Sequence, residues 1–399
     1  MPALLSGRET IIWIGGFVLV STLLVLTGFT SGDPDSALYA ALSARLAEGP
    51  VSHWIAPEWW GHWDSEGLFR EHPVGVLLLP TLLGAMGVPG VQAAYIVGIA
   101  AAVASLLIIA HLTARIRGPI EGRFALVLLQ IMPVAFIFRI RANHEYPMLL
   151  CLLVTIIGID GVRRSWRWLP VPAAALAAAL LIKGVFVAIP ILAAAIWILC
   201  NPRDVGGSAW RPIAACALAA VAMAGTAAGY DVLYFRVTGE PFWEAYWSRQ
   251  LAPLALSAPI GGASTFLSHF GFYLLRLLWH PAPWSFALLA AVWTWRRDLG
   301  ERWRAMPTGP RRALAFTILF AAASILLLSP ASRFAERYAF SATYAVAAAG
   351  AAVAPSIWPA LRHTITTLDR VIPALPAVCW MVLMVLRLTI GPYLPRIST

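Results

Sequence analysis

The chain has 399 residues, 60% of them hydrophobic and 12% charged, with a mean hydropathy of +0.76 and a formal net charge of +10. These values exclude a soluble globular domain, and apolar runs near twenty residues recur from end to end, which predicts an all-α, polytopic helical membrane protein. The positive charge does not point to nucleic acid, because the arginines (Lys183 is the sole lysine) sit in short clusters between apolar runs, as the positive-inside rule produces.

The first run, 11–30, is of spanning length and lacks a small-residue cleavage site, which predicts a retained span rather than a leader. Residues 31–73 follow as a polar island. It holds Asp33, Asp35, Glu48, Glu58, Asp64, Glu66 and Glu71 against Arg45 and Arg70, and also His53, His62, His72 and four tryptophans. This acidic balance puts the loop outside, opposite the arginine clusters. Asp33-Pro34-Asp35 reads as a helix start, with Asp33 as the cap and Pro34 at the first helical position. Leu38, Leu42 and Leu46 make an apolar stripe, and Gly49-Pro50 ends a helix predicted to lie along the surface.

The apolar run 74–87 is short for a span and has Pro80 at its centre. If it crossed, the basic loop 115–123 would fall outside; reading it as a re-entrant or surface helix keeps that loop inside with the other arginines. Spans are then predicted at 91–114, 124–140, 147–161, 212–234, 270–295, 313–329, 339–359 and 371–391. Residues 168–200 exceed one span and are split at Lys183-Gly184, the turn outside. The count is about eleven, in a single domain 1–399 with no soluble domain after the last span. Segments 141–147, 235–269 and 331–338 fall on the side of the acidic loop. Cys151, Cys200, Cys216 and Cys379 lie in apolar runs without metal or disulfide spacing and read as small core residues.

Several short motifs in collinear order carry a resemblance. Asp35-Ser36-Ala37-Leu38-Tyr39, followed by Ala40, resembles the Asp-Glu-x-x-Tyr-Ala loop of the GT-C glycosyltransferase superfamily, in the branch of protein O-mannosyltransferases and lipid A aminoarabinose transferases. Phe69-Arg70-Glu71-His72-Pro73 resembles that branch's Phe-Glu-Lys-Pro-Pro, and Leu181-Ile182-Lys183-Gly184 its Leu-Thr-Lys-Gly turn. His269 with Tyr273, then Pro283-Trp284-Ser285, and finally Arg337-Tyr338 resemble its later elements. Ser36, His72 and Val74 depart from the pattern, standing where the family has an acid, a lysine and a proline.

The resemblance implies transfer of a sugar from a polyprenyl-phosphate carrier to an acceptor hydroxyl at the outer face of the cell (inner or plasma) membrane. Such a transfer needs a carboxylate to take the acceptor's proton and positive charge to receive the leaving phosphate. By pattern alone Asp33 and Asp35 cap a surface helix; the resemblance selects Asp35 as the base ahead of Asp33, with Tyr39 one turn further on the same face. Lys183 is a charge within an apolar run, either a phosphate ligand or a snorkelling side chain. Arg337 with Tyr338 matches the family motif, with Arg333 as competitor, and Arg139 and Arg141 are phosphate ligands or interface anchors. Glu71, His72, His269 and Tyr273 are the implied substrate contacts. A divalent cation among His62, Asp64 and Glu71 has no strict ligand spacing behind it and competes with ordinary loop polarity.

The expected partners are the lipid-linked donor, membrane lipid and a lipid, glycan or protein acceptor, the short C-terminus favouring a lipid or glycan. The rival functions are a flippase or transporter of lipid-linked sugars, and a membrane assembly factor. The first wants polar residues spread through the spans, whereas Asp160 and Asp231 are nearly the only acids in apolar runs. The second gives no reason for Asp35, Lys183 and Arg337 to share a side.

Overall fold

The structure is a computed structural model that describes residues 33–59, 67–130, 141–201, 210–248, 263–331 and 334–358, with scattered single positions besides. The expected spans at 11–30 and 371–391 fall outside the described residues apart from single positions, as do His62, Asp64, Arg139, Arg333 and Cys379. The described chain is helical throughout, and its only pairing of extended segments is a bridge between Glu58 and Leu68. Among the described residues, six helical stretches are long and apolar enough to cross a bilayer: Gly90–Arg117, Glu145–Arg164, Trp166–Cys200, Trp210–Thr238, Thr308–Leu328 and Glu336–Ile357.

Helix α1 (Pro34–Glu48) starts as its sequence dictates. The Asp33 carboxylate accepts from Ser36 N at 3.2 Å and Ser36 Oγ at 2.7 Å, with Pro34 in the first turn, and Gly49 ends the helix. Tyr39, Leu42 and Leu46 are buried against Phe69 and Leu77, which turns the predicted stripe into a local core. Helix α2 (Gly75–Ala85) has Pro80 inside it and packs between α1, α3 (Gly90–Arg117) and the helix that carries Lys183. At eleven residues it is about 16 Å long, too short to span alone. At Gly75 the backbone of Leu181 and Ile182 comes within 2.6–2.8 Å of where a Cβ would stand, so only glycine allows this approach.

The stretch 168–200 folds back on itself, as predicted. Helix α6 (Pro170–Lys183) runs up one side of α5 (Glu145–Arg164), a 3-10 turn Gly184–Val187 follows, and α7 (Ala188–Cys200) runs down another side. The ends prove the reversal. Lys183 meets His144 before the start of α5, whereas Trp197 Nε1 donates to Asp160 at the other end of α5 at 2.8 Å. Gly184 has φ +55°, and the Tyr246 hydroxyl occupies the position a Cβ would take. Ala173 and Ala179 of α6 share a buried cluster with Ala219 of α8 (Trp210–Thr238), small residues permitting close approach where apolar burial in lipid gives little drive.

Four expectations are corrected. The span placed at 124–140 is interrupted: α4 (Pro119–Leu128) gives way to a turn at Leu129–Gln130 and a bend at Met132, the residue before Pro133, where helix is disfavoured, and Val134, Ala135 and Phe138 are helical again. The span placed at 270–295 is two helices, α10 (Ala263–Trp279) and α11 (Trp284–Trp295), because Pro281 and Pro283 have no N–H to continue the ladder. The loop placed at 235–269 begins inside α8, forms a short helix α9 (Phe242–Tyr246) and is already helical again at Ala263. Cys216 is exposed rather than packed in the core, whereas Cys151 is buried as expected. Helix α12 (Leu299–Ala305) lies in the basic connection to α13 (Thr308–Leu328), and α14 (Phe340–Ile357) packs on α11, α13 and α4.

Because the α2–α6 approach sets the height of Lys183, Gly75→Ala is expected to cost about 1–3 kcal/mol by overpacking. Thermal unfolding of the purified variant in detergent measures this; an unchanged midpoint would show that the two backbones separate freely.

Candidate active site

Four segments converge at one end of the bundle: the first turn of α1, the loop before α2, the residues that open α5, and the Lys183 turn. A fifth, the 3-10 turn Glu336–Ala339 before α14, closes the group. Arg337 of that turn donates from Nη1 to Asp35 Oδ2, an ion pair between side chains 28% and 32% exposed. The pair is therefore open to an entering ligand. Asp33 is engaged elsewhere. Besides capping α1, its Oδ1 lies 3.8 Å from Arg141, whose guanidinium also sits 4.7 Å from the Phe138 ring.

Lys183 is buried, its Nζ against His144 Nε2 and over the Phe186 and Tyr338 rings at 4.7 and 5.3 Å. His144 Nε2 accepts from Lys183 in one tautomer and donates to Glu145 in the other. Glu145 Oε1 stands 3.0 Å from the same Nε2, and the carboxylate is buried. The Nε of Arg337 and of Arg141 is buried without a directed hydrogen bond. Charges this deep need partners. Asp35 and Glu145 balance Lys183 and Arg337 in number, but donor directions on two guanidiniums are left unspent.

Beside these charges lies a cluster of rings. Tyr39 is 6.5 Å from His72 and 6.2 Å from His144, and the two histidines are 5.7 Å apart. Burial, helped by the charge of Asp35, holds the Tyr39 hydroxyl well above its ordinary pKa, so it stays a neutral donor. Burial first, then His144, Lys183 and Arg337, hold His72 well below the usual imidazole range. Burial also lowers His144, outweighing the opposing pull of Glu145. Glu71, half-buried, adds its negative field at Tyr39. The cleft between Lys183, Glu145, Arg337 and Tyr338 has a volume of about 30 Å³, with Met148, Ile189 and Phe340 forming apolar wall. A larger cavity, about 130 Å³, adjoins it at Ser341 and is almost wholly apolar; the charged side chains gather at the smaller one.

The sequence-derived residues thus divide. Asp35, Tyr39, His72, Lys183, Arg337 and Tyr338 stand together, with Asp33, Arg141 and Glu71 at the edge. His269 does not join them, since its Nδ1 faces the Ser329 carbonyl at 3.2 Å with the Phe334 ring tilted beside it at 4.4 Å, whereas Tyr273 is fully buried in the core beside Ala335 and Tyr338, behind the turn that carries Arg337. Among the described residues no three His, Cys, Asp or Glu side chains gather as a metal would need.

Glu145 and His144 escaped the sequence reading, although a carboxylate opening an apolar run was a signal. Also missed was a brace behind Arg337, in which Glu336 Oε2 lies 3.4 Å from both Arg276 and His280. Over the top, buried Arg70 donates to the Tyr234 hydroxyl at 3.2 Å and pairs with Glu240, and Val185 N donates to the Tyr246 hydroxyl at 3.1 Å, tying the outer loops to the Lys183 turn.

Neutral buried imidazoles make acid destabilising. His72 and His144 have folded pKa values below the unfolded value of about 6.5, so the unfolded chain binds the extra protons and stability falls as pH drops below about 6.5. Thermal midpoints measured from pH 7.5 to 5 are expected to fall, and to fall less steeply in His72→Gln; equal slopes would contradict the burial of a neutral His72.

Residues 71–228 match the family model described as dolichyl-phosphate-mannose-protein mannosyltransferase. No curated protein matches the chain in sequence. Among solved structures, ArnT from Cupriavidus metallidurans bound to undecaprenyl phosphate superposes with a TM-score of 0.65 at 17% identity, over 87% of this chain and 62% of that one. The same protein in the apo state gives 0.61 at 17% identity, over 85% and 59%. The apo Archaeoglobus fulgidus oligosaccharyltransferase gives 0.55 at 13% identity, over 96% and 55%. The chain thus spans about three fifths of the length of the ArnT it matches. Its helical bundle shares its fold with ArnT and, less closely, with the oligosaccharyltransferase, and residues 71–228 are similar to the mannosyltransferase family.

Proposed function

We propose that this protein transfers a sugar from a polyprenyl-phosphate carrier to an acceptor hydroxyl at the outer face of the membrane. The observation that carries the reading is that Lys183 and Arg337 line a single cleft and Arg337 is paired with Asp35, 302 residues away in the chain. The likeness to ArnT, solved with undecaprenyl phosphate, supports the class of carrier.

In the ligand-free protein Arg337 neutralises Asp35. An arriving donor phosphate supplies a competing anion for Lys183 and Arg337, including the unspent Arg337 Nε. As the guanidinium turns to the phosphate, Asp35 is released as a free carboxylate. It takes the acceptor's proton while the acceptor oxygen attacks the anomeric carbon from the face opposite the carrier. The bond from that carbon to the phosphate oxygen breaks, and its electron pair leaves on the phosphate, held by Lys183 and Arg337. The anomeric carbon is inverted. Glu145 balances Lys183 while the site is empty, and Tyr39 and the neutral His72 line the acceptor side.

Loss of a general base costs about 10²–10⁴ in rate. Asp35→Asn is expected to fold, bind donor and lose turnover by this factor in a reconstituted transfer assay, whereas Asp33→Asn keeps a capping oxygen and most of the activity. Near-normal turnover in Asp35→Asn would remove it as the base. Lys183→Met and Arg337→Met are each expected to weaken donor binding about tenfold or more, the scale of a charge-assisted hydrogen bond. Unchanged affinity in both would refute the phosphate assignment.

Sidedness follows from the arginine distribution. A cysteine at exposed Glu58 is expected to be labelled by an impermeant reagent in intact cells, and one at exposed Thr308 only after permeabilisation. Labelling of both from outside would overturn the orientation.

A further inference from the structure

The larger cavity takes no part in the chemistry proposed above. This groove of about 130 Å³ runs between α3, α5, α13 and α14, lined by side chains such as Ile109, Leu153, Leu314, Phe320 and Ala349. Ile116, Ala313, Leu314, Ala345 and Ala348 are only half-buried, so the groove is open along one side. On α14 its lining extends from Ser341 to Val353, about 18 Å of helix rise. That matches one leaflet of hydrocarbon, about 15 Å. Two of its four hydroxyls are already engaged: Thr317 donates to the Ala313 carbonyl at 3.1 Å, and Tyr344 lies 2.6 Å from the Tyr146 hydroxyl.

One end of the groove is charged. Arg117 lines it, donating to Ser356 Oγ at 2.7 Å, and Met306 and Pro310 bring Arg304 and Arg311 to the same end. Arg115, two residues from Arg117, is answered by Asp160 at 3.9 Å. Among the described residues no carboxylate answers Arg117, Arg304 or Arg311. An apolar slot one leaflet long, ending at three guanidiniums without a counter-charge, is complementary to a molecule with an acyl chain and a phosphate.

We propose that this groove binds an anionic glycerophospholipid, one acyl chain lying against α14 and the headgroup phosphate held by Arg117 with Arg304 and Arg311. The site is separate from the donor cleft, although Ser341 lines both. The bound lipid would wedge α3, α13 and α14 together beneath the turn that carries Arg337.

The test uses the full chain, delipidated in detergent and then offered dioleoyl phosphatidylglycerol or dioleoyl phosphatidylcholine. Bound lipid is counted by native mass spectrometry, and thermal unfolding is followed in parallel. One arginine–phosphate contact near a membrane surface predicts about a fivefold preference for the glycerol lipid. Arg117→Gln is expected to bring the two lipids close to parity, Arg117→Lys to keep most of the preference, and Ala349→Phe to reduce retention of both by filling the slot. No preference in the native chain, or an undiminished one in Arg117→Gln, would overturn the proposal. So would an Ala349→Phe protein that keeps phosphatidylglycerol but loses binding of decaprenyl phosphate, because the slot would then belong to a carrier tail. Loss of transfer activity in Asp35→Asn tests the donor cleft and leaves this outcome untouched.

Discussion

The ion pair between Arg337 and Asp35 joins the two ends of the described chain, and most of what surrounds it exists to keep those two side chains in reach of each other. Asp35 is fixed by the cap and proline that start α1. Arg337 is fixed by a 3-10 turn whose first residue, Glu336, is clasped by Arg276 and His280. Both partners retain partial exposure, so the pair is a modest contributor to stability and can be exchanged for another anion without leaving a buried charge stranded. That property suits the exchange of Asp35 for a donor phosphate proposed above.

Lys183 is held by a different device. Two helices of thirteen and fourteen residues, each about 20 Å long, flank a single longer helix, and the reversal between them puts an ammonium at the level where α5 begins. The reversal depends on one residue with a positive φ, packed under the hydroxyl of Tyr246. Because that tyrosine belongs to the loop that also supplies Glu240 to Arg70, the outer loops and the lysine turn form one mechanical unit. A ligand that moves the loop would be felt at Lys183.

The two cavities divide the bundle by polarity. The upper one gathers charge from several elements, and the lower one is apolar to its far end, where unneutralised arginines resume. In a bilayer, apolar burial between helices gains little, so an open slot between them is not closed by the hydrophobic effect as it would be in water.

What the sequence determined by itself is local. The apolar runs have bilayer length because every backbone amide in lipid must be bonded within its own helix, and this is legible in hydropathy alone. The start of α1 at Asp33-Pro34 and the break at Lys183-Gly184 were legible because caps and turns depend on neighbours a few residues away. Apolar continuity misled at 270–295, where Pro281 and Pro283 cut the helix without lowering hydropathy. Tertiary structure alone decided the partnerships. Arg70 finds Glu240 at a separation of 170 residues, Ala142 N donates to Ser36 Oγ across 106, and Lys183 meets His144 across 39. It also turned Glu145 from an ordinary helix-opening acid into the buried counter-charge of the cleft, and turned His269 towards the Ser329 carbonyl, away from the charges of the cleft. A sequence records which residues carry charge; where lipid forbids a lone charge, the packing of helices decides which one answers it.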